Sequence, residues 1–245
     1  MRSSKAQRES VAARAVAAVR TLVFTLLFFS ISAILSMLAL LVWPLGVRAV
    51  GAVATVWAWQ HRILSRIILG QRIVVEGAMP ADVCFIACKH EAMFETVDAL
   101  CLFDRPVIAA KRELLAIPFW GWVAARYGVI PVDRDGGAKA LRAVCSLAKA
   151  AMGKGRVFIF YPEGTRVRPG EAPPLKAGFA GLYAVLRVPV VPVAIDSGNC
   201  NPRGRRLRFP GTITYRIGEP VPPGLPRAEA EARVYTAINA LNTMR

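Results

Sequence analysis

The sequence predicts an α/β fold, with a mixed, largely parallel sheet flanked by helices and preceded by an N-terminal pair of membrane-anchoring helices. Two observations predict it. A long apolar stretch without charge lies before Gly70, and short β-branched runs alternate with helical stretches after it. Several of these runs are apolar at consecutive positions, which is typical of strands that are covered on both faces.

Composition supports a protein that meets a membrane. The 245 residues include 32 Lys plus Arg against 16 Asp plus Glu, a formal net charge of +16, and 55% are hydrophobic. Disorder is excluded because it requires low hydrophobicity. Residues 1–75 hold nine basic residues and one acidic residue, a net charge of +8. Half of the excess charge therefore surrounds the apolar stretch, which favours contact with anionic lipids.

The first predicted element is an apolar helix over residues 22–43, within a stretch that has no charged residue from Thr21 to Val47. Crossing the hydrocarbon core takes about 20 residues as a helix. A signal peptide typically has an apolar core of about 7–15 residues and a cleavage site of small residues. No such site follows, so we expect the helix to be retained.

A second, interfacial helix is predicted over residues 49–69, after Pro44 and Gly46 break the first. Trp57, Trp59, Arg62 and Arg66 give it the composition of a helix whose apolar face lies among lipid headgroups while its cations stay at the surface. The pair can span the bilayer or dip into one leaflet, and basic residues on both sides leave both topologies open. We expect residues 1–70 to form the anchor and residues 71–245 a catalytic domain.

The catalytic domain is predicted from the alternating runs. Strands are expected at residues 73–76, 83–88, 106–110, 128–132, 157–161 and 190–195, and helices near residues 94–102, 117–126, 138–152 and 175–186. Residues 206–219 alternate between apolar and polar positions and predict an edge hairpin, and a last helix is expected from about residue 226 to residue 242. The five cysteines lack a C-x-x-C pair and indicate buried thiols in a reducing compartment.

His90 is the first candidate for chemistry. It follows the apolar run of residues 83–89 and lies between a predicted strand and a predicted helix. The active sites of α/β enzymes lie at the carboxyl ends of strands. Glu95 follows about one helical turn later, so its carboxylate can reach back to the imidazole. A carboxylate on one ring nitrogen fixes the tautomer and makes the other nitrogen a better general base. A surface salt bridge is the alternative interpretation.

Two further segments also follow predicted strands. Glu163, Gly164, Thr165 and Arg166 come directly after a hydrophobic strand, where glycine allows a tight turn and the arginine fork suits a phosphate. Lys111 and Arg112 follow another strand and are also candidates for a phosphate. Taken alone, either segment can be an ordinary turn with solvated cations.

These features occur together and in order, and here the sequence resembles the 1-acyl-sn-glycerol-3-phosphate (lysophosphatidic acid) acyltransferases. The family motif Asn-His-x-x-x-x-Asp corresponds to residues 89–95, a second motif to residues 110–121, Phe-Pro-Glu-Gly-Thr-Arg-Ser to residues 161–167, and Val-Pro-Val-x-Pro-Val to residues 188–193. Two departures occur in the first motif, because Lys89 replaces Asn and Glu95 replaces Asp. The resemblance covers about residues 72–220 and the apolar N-terminus.

The resemblance implies that His90, oriented by Glu95, is the catalytic base for acyl transfer to the sn-2 hydroxyl of lysophosphatidic acid. It implies substrate-binding roles for Lys111, Arg112, Glu163, Gly164, Thr165 and Arg166, and Glu163 is expected to position Arg166 or the glycerol. The expected partners are a lysophospholipid acceptor, acyl-CoA or acyl carrier protein as donor, and anionic membrane lipids, with no cofactor or metal. We expect an inner-membrane protein whose catalytic domain faces the cytoplasm.

Three other functions are weighed. The sequence pI of about 10.5 is typical of nucleic-acid binding, but much of the charge flanks the apolar stretch and no nucleic-acid-binding motif is found. A non-catalytic membrane scaffold would not need His90 and Glu95 at a strand end. Another acceptor, such as a lyso-ornithine lipid, would use the same base and stays open at this point.

Overall fold

The computed structural model describes residues 2–133, 136–204 and 206–242. Its strands are β1 (Gln71–Glu76), β2 (Phe85–Cys88), β3 (Val107–Lys111), β4 (Ile130–Val132), β5 (Phe158–Phe160), β6 (Val190–Ile195) and β7 (Gly211–Ile217). They form one seven-stranded sheet in the order β1-β7-β6-β2-β5-β3-β4. All neighbouring pairs are parallel except β6 and β7. The predicted fold class, a mixed and largely parallel sheet flanked by helices, is confirmed.

The helices are α1 (Arg2–Leu41), α2 (Val47–Leu64), α3 (Phe94–Leu102), α4 (Trp120–Tyr127), α5 (Gly137–Met152), α6 (Ala177–Leu186) and α7 (Arg227–Ile238). Every residue of β2 and β6 is buried, as their continuous apolar runs predict. Ile86 and Cys88 face a core shared with α2 and α3, while Phe85 and Ala87 face a core shared with α5, α6 and α7. Helices therefore cover both faces of the central strands.

The predicted edge hairpin at residues 206–219 is wrong. Only β7 is a strand in this segment, and it lies inside the sheet between β1 and β6. The preceding residues leave the sheet: the Phe209 amide donates to the Cys200 carbonyl at 2.8 Å, and the Arg208 amide donates to Thr21 Oγ1 at 3.0 Å. The apolar and polar residues of β7 alternate because one face of the strand is buried, with Ile213, Tyr215 and Ile217 in the core. The alternation does not indicate a strand at the edge of the sheet.

The N-terminal helices pack against each other as a hairpin. Phe24 and Phe28 of α1 contact the His61 ring at centroid distances of 5.7 and 5.3 Å, and Trp57 Nε1 donates to Ser32 Oγ at 2.8 Å. The segment Val11–Leu41 is long and apolar enough to cross a bilayer, and an 18-residue stretch within it has a mean hydropathy of 2.4. The first helix begins well before the predicted residue 22, because the polar residues at its start do not interrupt helical geometry.

One face of α2 is packed on the rest of the chain, which corrects the prediction of a surface position for Arg62, whose side chain is 19% exposed. Arg66, which follows α2, is exposed as predicted. The Arg62 guanidinium binds the carboxylate of Asp98 in α3 through two contacts of 2.7 Å, and the Asp98 side chain is fully buried. A buried carboxylate requires such a partner. The other face exposes Val56, Trp59 and Ile63, so an apolar surface that can meet lipid remains.

Breaking this ion pair should loosen α2 from α3. We expect Arg62→Met to lower the free energy of unfolding by about 3 kcal/mol, because it leaves the Asp98 carboxylate buried without a cation. Thermal unfolding of the full chain in detergent micelles measures the effect. Arg233→Met is the matched control, since its partner Glu229 is exposed and such pairs contribute about 0.5 kcal/mol or less. Equal melting temperatures for the two variants would contradict the role given to the pair.

Candidate active site

Residues of the first three motifs meet at one edge of the sheet. His90 follows β2, Glu163 follows β5, and Lys111 is the last residue of β3. In the sheet β5 lies between β2 and β3, and all three strands are parallel. Their carboxyl ends therefore point to the same edge, the edge at which open α/β sheets bind ligands.

The Glu95 carboxylate holds the His90 ring. Glu95 Oε1 lies 2.8 Å from His90 Nδ1 and also accepts the backbone N–H groups of Glu91 and Ala92 at 2.7 and 2.8 Å. Its other oxygen accepts a hydrogen bond from Ser197 Oγ at 2.7 Å. The predicted contact between Glu95 and the imidazole is present. Because a carboxylate accepts, the proton lies on Nδ1, and Nε2 keeps the lone pair that a base needs.

His90 is also fixed by the segment that follows β5. The Tyr161 ring stacks on the imidazole with centroids 4.2 Å apart and an interplanar angle of 27°. The His90 amide donates to Glu163 Oε2 at 2.7 Å, and the His90 carbonyl accepts from the Val167 amide at 2.7 Å. Ring and backbone of His90 are therefore held on several sides, while 17% of its side chain stays accessible.

Glu163 lies against the His90 turn and not against Arg166, which it was expected to position. It is 2% exposed, and its carboxylate lies against the His90 amide and the Lys89 ammonium, with Lys89 Nζ 3.4 Å from Oε1. Burial raises the pKa of the Glu163 carboxyl, against the attraction of Lys89. Gly164 adopts a φ of 68°, so the predicted tight turn is present.

Lys89 is fully buried and links three parts of the chain. Besides Glu163, its ammonium donates to the Glu171 carbonyl at 2.8 Å and to Asn239 Oδ1 at 2.7 Å. Asn239 is the C-cap residue of α7, so the last described helix is joined to the turn that carries His90. Sequence reasoning noted Lys89 only as a departure from the family motif.

The remaining candidate cations lie at the rim. Lys111 and Arg112 are exposed at the end of β3, with Lys111 Nζ 3.0 Å from Glu113 Oε1 and Arg112 Nη1 3.5 Å from Asp133 Oδ2. Two strand spacings separate β3 from β2, about 10 Å. Thr165 and Arg166 are exposed on the other side of the turn at Gly164.

Arg166 also lines a pocket of about 120 Å³ next to the His90 turn, together with Glu91 from the turn after β2 and Arg203 and Arg208 from the loop after β6. The sequence did not single out Glu91, whereas the basic run of residues 203–208 is a candidate for contact with an acidic acyl donor or with anionic lipid. Glu91 is 1% exposed and accepts the Gly198 amide at 2.9 Å; burial raises its pKa to about 7. The polar run of residues 196–199 at the end of β6 is the signal that could have indicated this region.

Comparison with known proteins agrees with the four motifs. A family model described as Acyltransferase matches residues 72–196. The 1-acyl-sn-glycerol-3-phosphate acyltransferase of Pseudomonas aeruginosa is 31% identical over 231 residues, which cover 93% of this chain and 87% of that protein. The 1-acyl-sn-glycerol-3-phosphate acyltransferase beta of Homo sapiens is 30% identical over 163 residues, which cover 65% of this chain and 59% of the relative.

The fold is that of a solved relative. The crystal structure of the 1-acyl-sn-glycerophosphate (LPA) acyltransferase PlsC from Thermotoga maritima matches 94% of this chain and 99% of its own, with a TM-score of 0.74 and 23% identity. The chain belongs to the acyltransferase family.

Removing Lys89 should destabilise the site from within. We expect Lys89→Met to lower the free energy of unfolding by about 3 kcal/mol, since the Glu163 carboxylate loses its buried cation. Adding Glu163→Gln in the same chain should restore part of the loss. Thermal unfolding compares both variants with Lys149→Met, which removes an exposed lysine of α5. A Lys89→Met chain as stable as this control would show that the buried pair does not hold the segments together.

Glu91 should give the protein a pH-dependent stability. A carboxyl whose folded pKa is raised from 4.5 to about 7 stabilises the fold in its protonated form, so stability is present below pH 4.5 and is lost as pH rises through 7. We expect the free energy of unfolding of the unchanged chain to fall by about 3 kcal/mol between pH 4.5 and pH 7. This fall should be absent in Glu91→Gln, because glutamine stays neutral. Melting temperatures between those pH values measure it, with the exposed Glu229→Gln as control. An unchanged pH slope in Glu91→Gln would refute the assignment.

Proposed function

We propose that the protein transfers a fatty acyl group from acyl-CoA or acyl carrier protein to the sn-2 hydroxyl of lysophosphatidic acid, which gives phosphatidic acid. The observation that carries the proposal is the His90 ring, held at Nδ1 by the buried Glu95 and accessible at the edge of the sheet. The acceptor is supported by the relatives, which are named 1-acyl-sn-glycerol-3-phosphate acyltransferases.

In the proposed step His90 Nε2 takes the proton of the acceptor hydroxyl while that oxygen attacks the thioester carbonyl. The carbon–sulfur bond then breaks, and the imidazolium returns the proton to the leaving thiolate. A thioester is already activated, so positioning and a base account for the reaction without a cofactor. Cys88 does not suit a nucleophilic role. It is buried beside Glu95, and burial, followed by the charge of Glu95, raises the pKa of its thiol well above the usual range, so the reactive thiolate does not form.

The other site residues divide between positioning and binding. Glu163 and Lys89 fix the backbone at His90, and the turn at Gly164 places the exposed Thr165 and Arg166 beside it. Arg166 binds the acceptor phosphate, and the second cationic group, Lys111 and Arg112, adds positive potential on the β3 side. Arginine suits this role because its planar fork meets two phosphate oxygens at once.

The N-terminal hairpin supplies the membrane contact in this proposal. α1 exposes large apolar side chains along much of its length, among them Leu22, Leu26, Phe29 and Ile34. Lysophosphatidic acid and its product are lipids, so an enzyme held at the bilayer meets both without extracting them into water. In this proposal the catalytic domain faces the cytoplasm at the inner membrane, and the free thiols support it because they fit a reducing compartment.

An assay of the full chain purified in detergent tests the function. Lysophosphatidic acid, a lysophosphatidylcholine and a lyso-ornithine lipid are each supplied with acyl-CoA or acyl carrier protein. We expect lysophosphatidic acid to be the preferred acceptor and His90→Gln to lower kcat by about a hundredfold or more, with an unchanged melting temperature. Substantial turnover by a folded His90→Gln chain would overturn the base, and equal use of the lyso-ornithine lipid would overturn the acceptor.

A further inference from the structure

The pocket beside the His90 turn is built largely from residues outside the four motifs. Its walls come from residues 91–94, from Arg166, from residues 201–204, 207 and 208 of the loop after β6, and from His61 of α2. Because β6 and β3 lie on opposite sides of β2, this pocket and the Lys111–Arg112 pair flank His90 from opposite sides.

Three arginines line the pocket without a carboxylate partner. Among the residues that the structure describes, no carboxylate oxygen lies within 4.0 Å of the guanidinium groups of Arg166, Arg203 or Arg208. The Arg203 guanidinium donates to the Arg166 carbonyl, which joins the two loops. Unpaired guanidinium groups around a concavity are suited to an anion with several oxygens.

Arg208 is fixed in place by the first helix. Its guanidinium carbon lies 4.3 Å from the centroid of the Phe24 ring, and its backbone amide donates to Thr21 Oγ1. A cation over an aromatic ring loses little rotamer freedom on binding a ligand, because the side chain is already ordered. The pocket therefore has one preorganised cation on the side of the N-terminal helices, where a lipid would approach.

His61 gives a second, independent sign of a ligand. The side chain is 2% exposed and lines the pocket, yet Nδ1 has no hydrogen-bond partner among the described residues. Burial, with the charges of Arg208 and Arg62, lowers the His61 pKa to about 3, so the ring is neutral at physiological pH. A buried polar atom without a partner costs free energy, which a polar ligand group in the pocket would recover.

We propose that this pocket, formed by Arg203, Arg208 and His61 beside Arg166, binds a phosphate group next to the catalytic histidine. The inference rests on the proposed function, in which both substrates carry phosphate: the lysolipid has a phosphomonoester, and the donor has the phosphates of coenzyme A or the phosphodiester of phosphopantetheine. Two cationic sites on opposite sides of one base suit a reaction that joins two such substrates.

Steady-state kinetics of the full chain in detergent test the site and identify the source of the phosphate. We expect Arg203→Gln and Arg208→Gln each to raise one KM by about tenfold or more, with kcat changed by less than about threefold, as for a lost charge-assisted contact. A raised KM for lysophosphatidic acid assigns the pocket to the acceptor, and a raised KM for acyl-CoA assigns it to the donor. Both KM values unchanged relative to Arg227→Gln, an exposed arginine of α7, would overturn the proposal.

His61→Phe separates the ring nitrogens from the ring packing. Phenylalanine preserves the contacts with Phe24, Phe28 and Phe94 and removes the unpaired Nδ1, so we expect an equal or higher melting temperature. The same KM that Arg208→Gln raises should rise here by a few fold, because a neutral hydrogen bond is weaker than a charged one. An unchanged KM would remove His61 from the site.

Ligand-induced stabilisation tests the pocket without turnover, so that its failure and that of the proposed function can be told apart. The melting temperature of the full chain is measured with lysophosphatidic acid against monoacylglycerol, and with coenzyme A against pantetheine. Stabilisation by the phosphate-bearing member of one pair, reduced in Arg208→Gln, supports the pocket even if no acyl transfer is found. Equal responses within both pairs would overturn it even in an active enzyme.

Discussion

The site depends on one buried carboxylate. Glu95 is 1% exposed, and its two oxygens accept four hydrogen bonds from the His90 ring, the Glu91 and Ala92 amides and the Ser197 hydroxyl. A buried carboxylate is tolerated here because each of these four hydrogen bonds takes the place of a hydrogen bond that the carboxylate would otherwise make to water. The four donors come from the turn after β2 and the turn after β6. Both turns therefore adopt the conformation in which they can donate hydrogen bonds to the Glu95 carboxylate.

The parallel sheet makes that arrangement possible and adds a second anchor. β5 lies beside β2, so the turn that follows β5 brings Glu163 against the His90 amide and Tyr161 against its ring. The Glu163 carboxylate is in turn neutralised by the buried Lys89, which also binds Asn239 at the end of α7. His90 is thus held between two carboxylates of different function, with Glu95 on the ring and Glu163 on the backbone.

Sequence reasoning succeeded where the signal is local. Continuous apolar runs predicted the buried strands, residues 94–102 were predicted as the helix that the structure has, and a five-residue spacing predicted the His90–Glu95 contact. It failed where contacts join distant segments, since Ser197 is 102 residues from Glu95 and Thr21 is 187 residues from Arg208. The hairpin was wrong for a similar reason, because alternation within β7 carries no information about the strand that pairs beside it.

The most direct test of this account is the comparison of kcat and KM for Glu95→Gln and Glu95→Asp in the full chain. The amide of glutamine can donate to Nδ1, which would move the ring proton to Nε2 and remove the base. We predict a kcat reduced by about 10²–10⁴-fold with little change in the KM for lysophosphatidic acid, and partial activity in Glu95→Asp, which keeps a carboxylate. A Glu95→Gln chain that retains the original kcat would contradict the account.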